Sequence, residues 1–254
     1  MNLTAEQIQE NWIKLIDTIT NNFSGERCDN LITMYESFKD RILTAPASGI
    51  EHFHNCFPGG YLDHVLRVIE FSEKLFNLWA EAGATIDYSK EELIFVALNH
   101  DLGKIGDLED EYYIPNPSEW HRKNQGKIYS TNPDIVHMSV PHRGLWLLQE
   151  HNIKLSKNEM IAIMVHDGAY EDANTTYLKS YLPERSLRTN LPIIVHHADH
   201  MASRIECELW KKEDSGIKKP QFTNTSKTNR LRNLSNGSNK SNSASTLFDD
   251  LFKE

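Results

Sequence analysis

Apolar residues recur at helical spacing along most of this chain, and the pattern predicts a fold made of amphipathic helices. In the first of them Ile8, Trp12, Leu15 and Ile19 lie on one side, and Thr4 is placed to cap its start. The alternation of apolar and polar residues that is typical of β-strands is absent throughout. We therefore predict an all-α bundle with helices over residues 4–23, 29–43, 61–80, 90–102, 139–150, 157–166 and 190–213.

Two segments depart from the helical pattern. Residues 106–136 form a long insertion with several aromatic residues and the cations Arg122, Lys123 and Lys127, and loops of this length in a compact domain are often functional. Residues 216–245 are rich in Ser, Asn, Thr and basic residues and poor in apolar ones, which predicts a disordered linker. The predicted organisation is a helical domain over 1–215, this linker, and a short amphipathic peptide over 246–254.

The charge of the chain is unevenly distributed. The net charge is −9, but the seven basic and three acidic residues from Gly216 onward give that segment a charge of +4, which leaves −13 on residues 1–215. A body this acidic repels long polyanions unless metal ions or a local basic patch compensate. The charge therefore favours a small substrate over a long nucleic acid.

The sequence gives no sign of a membrane protein or a secreted one. No apolar run reaches the roughly 18 to 20 residues that cross a bilayer, and residues 1–10 lack the basic and apolar regions of a secretory signal. Cys28, Cys56 and Cys207 are too far apart for a CxxC metal motif or a disulfide framework. We expect a cytoplasmic protein with free thiols.

Candidate chemistry begins with the pair His100-Asp101, which ends an apolar helix and is followed by Gly103. An imidazole and a carboxylate side by side suit a divalent cation such as Mn, Fe or Zn. On its own, such a pair is also explained by a capped helix end with an ion-paired aspartate.

Two further polar residues lie within apolar helices. His64 shares one side of its helix with Val68, Phe71 and Leu75, and Asp199 follows a strongly apolar stretch. A buried carboxylate needs a cation or several hydrogen bonds to remain charged. One metal centre would explain His64, His100, Asp101 and Asp199 together.

The order of these four residues, and the sequence around them, resembles the HD superfamily of metal-dependent phosphohydrolases. The resemblance covers about residues 35–210 and is carried by PGGYLDHVLRV, ALNHDLGKIG and HHADHMASRIE. The stretch APASGIEHFHNCFPGGYLDHV is most similar to the HD domain of the YhaM-type 3′→5′ exoribonucleases. The resemblance implies an HD-type helical bundle in which His64, His100, Asp101 and Asp199 hold a metal ion.

Many members of the superfamily hold a second ion with extra histidines between the HD pair and the last aspartate. The resemblance offers His142 and His166 as these ligands, with Asp101 bridging the two ions, and His137 competes with His142. The alternative is a mononuclear site, with these histidines at the surface or in contact with substrate. In either case we expect one or two divalent transition-metal ions, Mn, Fe or similar, with Mg, Ni, Co or Zn as further candidates.

Other residues are expected to act on the substrate. Lys104 follows the HD pair, as in many members, and would join Asp101 in catalysis by offsetting phosphate charge, or else is a solvated lysine at a helix end. His54 is expected to face the substrate, and Arg67 to contact phosphate or pair with an acid. Phosphate binding is also predicted for three cations of the insertion, Arg122, Lys123 and Lys127. Most other histidines are expected at the surface or behind the ligands, including His52, His196 and His200.

The resemblance implies hydrolysis of a phosphoester bond by a metal-activated water. The sequence holds no G-x-S-x-G, P-loop or Gly-rich dinucleotide motif. The acidic body makes a nucleotide or cyclic nucleotide the first expected substrate. One alternative is a 3′→5′ exonuclease, although no OB-like nucleic-acid-binding segment precedes the HD-like region. A second is a non-catalytic module that senses a nucleotide.

The last nine residues, 246–254, combine apolar and acidic residues. Leu247, Phe248, Leu251 and Phe252 fall on one side of a short helix. This peptide resembles the C-terminal motifs with which some phage replication and transcription proteins dock onto a sliding clamp, so a clamp-like partner is expected for 246–254. The alternatives are a different protein partner, or a peptide that folds back onto its own body.

Overall fold

The computed structural model of the protein describes residues 2–214, and this part of the chain is mostly helical, as predicted. The predicted linker over 216–245 and the predicted docking peptide over 246–254 lie outside the described residues. None of the described helices is long and apolar enough to cross a membrane.

The first part of the chain forms five helices: α1 (Ala5–Asn22), α2 (Gly25–Ser37), α3 (Lys39–Thr44), α4 (Gly60–Glu81) and α5 (Lys90–Asn99). Thr4 and Ser89 cap α1 and α5 through reciprocal side-chain and backbone hydrogen bonds. The single helix predicted over 29–43 is two helices, because the chain leaves helical geometry at Phe38, whose ring is buried in the core.

The insertion has regular structure of its own. It contains β1 (Tyr113–Pro115), α6 (Glu119–Gln125) and β2 (Tyr129–Thr131), and the two strands pair antiparallel with Tyr113 opposite Thr131. The prediction that strands are absent is therefore wrong for this segment. Each strand has only three residues, too few for an alternating pattern to emerge.

The remaining helices are α7 (Val140–Glu150), α8 (Lys157–Met164), α9 (Thr175–Leu178) and α10 (Leu191–Asp214). The helices predicted over 90–102 and 157–166 both end early, so that a His-Asp pair follows each regular helix: His100-Asp101 after α5, and His166-Asp167 after α8.

Helix packing brings the polar residues of these helices together. Helix α4 packs against α1, α5 and α10, and α8 packs against α5 and α10. The turn after the first His-Asp pair lies against the start of α7, where a Cβ atom at Gly103 would be only 2.1 Å from the Val140 carbonyl oxygen. Glycine is required there because any side chain would push α7 away from this turn.

Candidate metal centre

Four side chains from three helices meet in the interior: His64 of α4, His100 and Asp101 after α5, and Asp199 of α10. His64 Nε2 lies 3.1 Å from Asp199 Oδ1 and 3.7 Å from Asp101 Oδ2, and His100 Nε2 lies 3.5 Å from Asp101 Oδ2. Ligand atoms about 2.0 to 2.2 Å from one ion lie about 3 to 4.4 Å from one another. Ligand atoms of His64, His100 and Asp101 all lie within 4.8 Å of one another, and Asp199 Oδ1 lies within 4.0 Å of both histidine Nε2 atoms, so this group could hold a cation.

The rings of His64 and His100 are each oriented by a hydrogen bond of the Nδ1 atom, on the side away from the cluster. His64 Nδ1 lies 3.1 Å from Oε2 of the buried Glu206, and His100 Nδ1 donates to the Ala97 carbonyl oxygen at 2.8 Å. Both Nε2 atoms consequently face the cluster, where they are buried and make no hydrogen bond of good geometry with the described residues. Buried polar atoms are rarely left without a partner. A bound metal ion would supply the missing partner for both.

Asp101 is held as a carboxylate. Its side chain is almost fully buried, and Lys104 Nζ lies 2.6 Å from its Oδ2. Burial raises the pKa of Asp101, but the charges of Lys104 and His100 outweigh this effect and hold the pKa well below its ordinary value. Burial likewise lowers the pKa of Lys104, and the charge of Asp101 more than reverses that shift. Asp101 is therefore charged at neutral pH and available to a cation.

His64 retains a proton in the absence of an ion. Burial lowers the pKa of His64, but the nearby carboxylates of Glu206 and Asp199 together raise it to about 10. Burial raises the pKa of Asp199, but the proximity of His64 and the charge of His100 bring it below its ordinary value. A cation that binds here must displace the proton on His64.

A second group of donors adjoins the first. His166 Nε2 lies 3.5 Å from Asp101 Oδ1, on the opposite oxygen from the one that faces His64, and 3.7 Å from Asp167 Oδ1. Ligand atoms of His166, Asp167 and Asp199 all lie within 4.8 Å of one another. The His166 Nδ1 donates to the Ile163 carbonyl oxygen at 2.8 Å, which turns Nε2 inward. This second group could also hold a metal ion.

The structure brings His166 to the cluster but leaves His142 outside it. His142 is exposed in the first turn of α7, with its Nδ1 2.6 Å from the capping Ser139 Oγ, and His137 is exposed as well. Neither belongs to any group of three or more metal-ligating side chains in residues 2–214. Asp167 takes the place beside His166 that the sequence analysis gave to His142. In the sequence, Asp167 could have been found because it forms a second His-Asp pair at the end of an apolar helix.

The cluster opens into a cavity of about 420 Å³. Asp101, Lys104, Asp167 and Asp199 line it together with residues that the sequence analysis did not assign to substrate, notably Phe53, Tyr170, His196, His200 and Arg204. Gly168, in the turn between the second His-Asp pair and Tyr170, has φ +60°, and a Cβ there would lie 2.1 Å from the ring of His196. That turn thus requires glycine both for its backbone and for the space.

His54 lies in the cavity wall, as a substrate-facing residue would. Its ring centre is 4.9 Å from that of His64. Burial, with the charge of His64, lowers the pKa of His54 well below its ordinary value. His54 is therefore neutral at physiological pH.

Other predicted phosphate contacts do not lie in this cavity. Arg67 binds Glu206 and Asp63 behind the His64 ring, at 3.0 and 3.2 Å. Arg122 donates to the Asn116 carbonyl oxygen, and Lys123 pairs with Glu119. None of Arg67, Arg122, Lys123 and the exposed Lys127 lines the cavity.

Glu206 was also missed from the sequence. It follows Asp199 by seven residues, which is two helical turns, so it lies on the same side of α10. That spacing was the available signal.

No protein-family model matches the chain, and comparisons with curated proteins and with solved structures find no match.

Proposed function

We propose that the protein is a metal-dependent phosphohydrolase of the HD superfamily that acts on a nucleotide or cyclic nucleotide. The observation that carries the proposal is the pair of buried, unpartnered Nε2 atoms of His64 and His100, which face the charged carboxylates of Asp101 and Asp199. Such a donor set, closed from behind by hydrogen bonds, is typical of metal ligands.

His64, His100, Asp101 and Asp199 would hold one ion, and His166 and Asp167 would extend the site to a second through Asp101 and Asp199. When bound, divalent ions in such a site supply Lewis acidity and lower the pKa of water, which is the chemistry that phosphoester hydrolysis needs.

The described residues that line the cavity include no activated nucleophile. Ser203 Oγ donates to the His200 carbonyl oxygen at 3.0 Å, and Cys207 Sγ donates to the His52 carbonyl oxygen at 3.5 Å. Both donors are thus directed to backbone carbonyl oxygens and not to a basic side chain that could remove the proton. This arrangement favours direct attack by water over a covalent intermediate.

The cavity contains the groups that a nucleotide substrate requires. Lys104 and Arg204 are its cations and would bind phosphate oxygens, while the neutral His54 can hydrogen-bond without adding charge. Phe53 is half exposed and Tyr170 is largely exposed, and the Tyr170 ring stacks on His200 with 5.6 Å between ring centres. Exposed aromatic rings beside phosphate-binding cations suit a nucleobase.

The decisive experiment is a hydrolysis screen with Mn²⁺ over nucleotides, cyclic nucleotides and end-labelled RNA and DNA. The matched pair of variants is His166→Ala, inside the cluster, and His142→Ala, outside it. We expect turnover of a small nucleotide that is lost in Asp101→Ala, strongly reduced in His166→Ala, and retained in His142→Ala.

The other outcomes separate the alternatives. Processive shortening of labelled RNA or DNA without turnover of small nucleotides would establish an exonuclease instead. Tight nucleotide binding without hydrolysis by metal-loaded protein would establish a sensing module. Full activity in Asp101→Ala would overturn the assignment of the site.

A further inference from the structure

A second cavity, of about 530 Å³, lies apart from the metal centre. It is formed by the start of α8, by α9, by residues 184–189 and by the first turn of α10, and it shares no lining residue with the metal-centre cavity. Its volume falls in the range of about 300 to 1,000 Å³ that is usual for small-molecule sites.

Three cations line this cavity: Lys157, Arg185 and Arg188. None of the three forms a side-chain hydrogen bond or an ion pair with any described residue. The only acidic residue in the lining is Glu184. This excess of unneutralised positive charge lies on a body whose residues 1–215 carry −13.

Most other arginines in residues 2–214 have partners, the exception being Arg204 of the metal-centre cavity. Arg27 and Arg67 pair with carboxylates, and Arg41 and Arg143 donate to backbone carbonyl oxygens. Those arginines have structural partners, whereas the cations of the second cavity contribute nothing evident to the fold. Three like charges that share a single acidic residue in the lining repel one another, and an anion with several charges would relieve that repulsion.

The rest of the lining suits the other end of a nucleotide. Ile161, Leu187 and Pro192 give the cavity an apolar surface, and the partly exposed Tyr177 adds an aromatic ring. Guanidinium groups bind phosphate oxygens in pairs, while a ring and apolar side chains cover a base. Inorganic phosphate alone would leave that apolar surface unused.

We propose that this cavity is a second ligand site, separate from the metal centre, that binds a nucleoside di- or triphosphate through Lys157, Arg185 and Arg188. The small cavity and the acidic body favour such a ligand over a nucleic acid strand.

The test is isothermal titration calorimetry of the full-length, metal-loaded protein with a methylene-bridged ATP analogue that resists hydrolysis at the bridge. We expect Arg185→Ala combined with Arg188→Ala to weaken one binding step by about 100-fold, at about tenfold for each lost charge-assisted contact. The matched control is Lys179→Ala, an exposed lysine of the same segment that does not line the cavity. That variant should bind within about twofold of the unaltered protein.

Any of the following results would overturn the proposal. Unchanged binding in the double arginine variant, or an equal loss in Lys179→Ala, would show that the cavity cations have no specific role. A loss confined to Arg204→Ala would place the nucleotide in the metal-centre cavity. Arginine-dependent binding of inorganic tripolyphosphate or of a single-stranded oligonucleotide as tight as that of the analogue would identify a different ligand. Circular dichroism of each variant verifies that it is folded.

Discussion

Apart from the four proposed ligands, Glu206 should be the residue on which the candidate metal centre depends most. Its side chain is fully buried, and it accepts from His64 Nδ1 at 3.1 Å and from Arg67 Nε at 3.0 Å. In Glu206→Ala, the fully buried His64 loses its acceptor, whereas Arg67 is a quarter exposed and keeps Asp63. One buried unsatisfied donor costs about 1 to 3 kcal/mol. With the lost packing, we expect a decrease of about 2 to 4 kcal/mol in the free energy of unfolding.

The same variant should bind metal about 10- to 100-fold more weakly, because the His64 ring is no longer held in position. Urea denaturation followed by circular dichroism, with the metal chelated, measures the first effect, and competition with a chromophoric chelator measures the second. Glu206→Gln keeps one acceptor, so it should lose less stability and less metal affinity than Glu206→Ala. Glu208→Ala, an exposed glutamate of the same helix, is the control. Unfolding within about 0.5 kcal/mol of the unaltered protein, together with unchanged metal affinity, would refute the reasoning.

Three further outcomes are expected. Without an ion the pKa is about 10 for His64 and about 9 for His166, so protons compete with the metal for these residues. The metal affinity measured in a competition titration should therefore rise from about pH 6 to about pH 10. A metal affinity that does not change with pH would contradict this. Lys104→Met should bind metal more tightly, since a neighbouring cation is removed, and turn substrate over more slowly; weaker metal binding would indicate a structural role instead. Arg204→Ala should raise KM about tenfold and Lys123→Ala less than about twofold, and equal effects in steady-state kinetics would refute the assignment of the phosphate contacts.

The helices were predictable because they are long and strongly periodic. The helix expected over 61–80 is Gly60–Glu81, and that expected over 139–150 is Val140–Glu150. The failures lie where tertiary contacts decide the backbone. The end of α5 is set by a turn packed against α7 through Gly103, a contact with no local signal.

The candidate site was predictable only in part. His64, His100, Asp101 and Asp199 could be recognised because each conflicts with its apolar helix or matches a motif. The partnership of Glu206 with His64 joins residues far apart in the chain, and only the fold reveals it. The placement of His142 rested on spacing along the chain, which does not fix the direction in which a helix presents its first turn.

His100 and His166, at the ends of helices, are oriented by a kind of hydrogen bond that His64 cannot form. His100 and His166 each donate Nδ1–H to the carbonyl oxygen three residues earlier, Ala97 and Ile163, at 2.8 Å. Carbonyl groups in the last turn of a helix lack a backbone partner, so one hydrogen bond both satisfies the helix end and turns Nε2 toward the centre. Both helix ends also favour a cation through their dipoles.

His64 lies in the interior of α4, where the carbonyl groups are already bonded within the helix. Its Nδ1 therefore needs an acceptor from another element, and α10 supplies Glu206. No side-chain substitution can remove the backbone acceptors of His100 and His166, whereas a single substitution of Glu206 removes the acceptor of His64. The orientation of His64 is consequently the most easily perturbed of the three by mutation, and it is the one that connects α4 to α10 at the centre of the molecule.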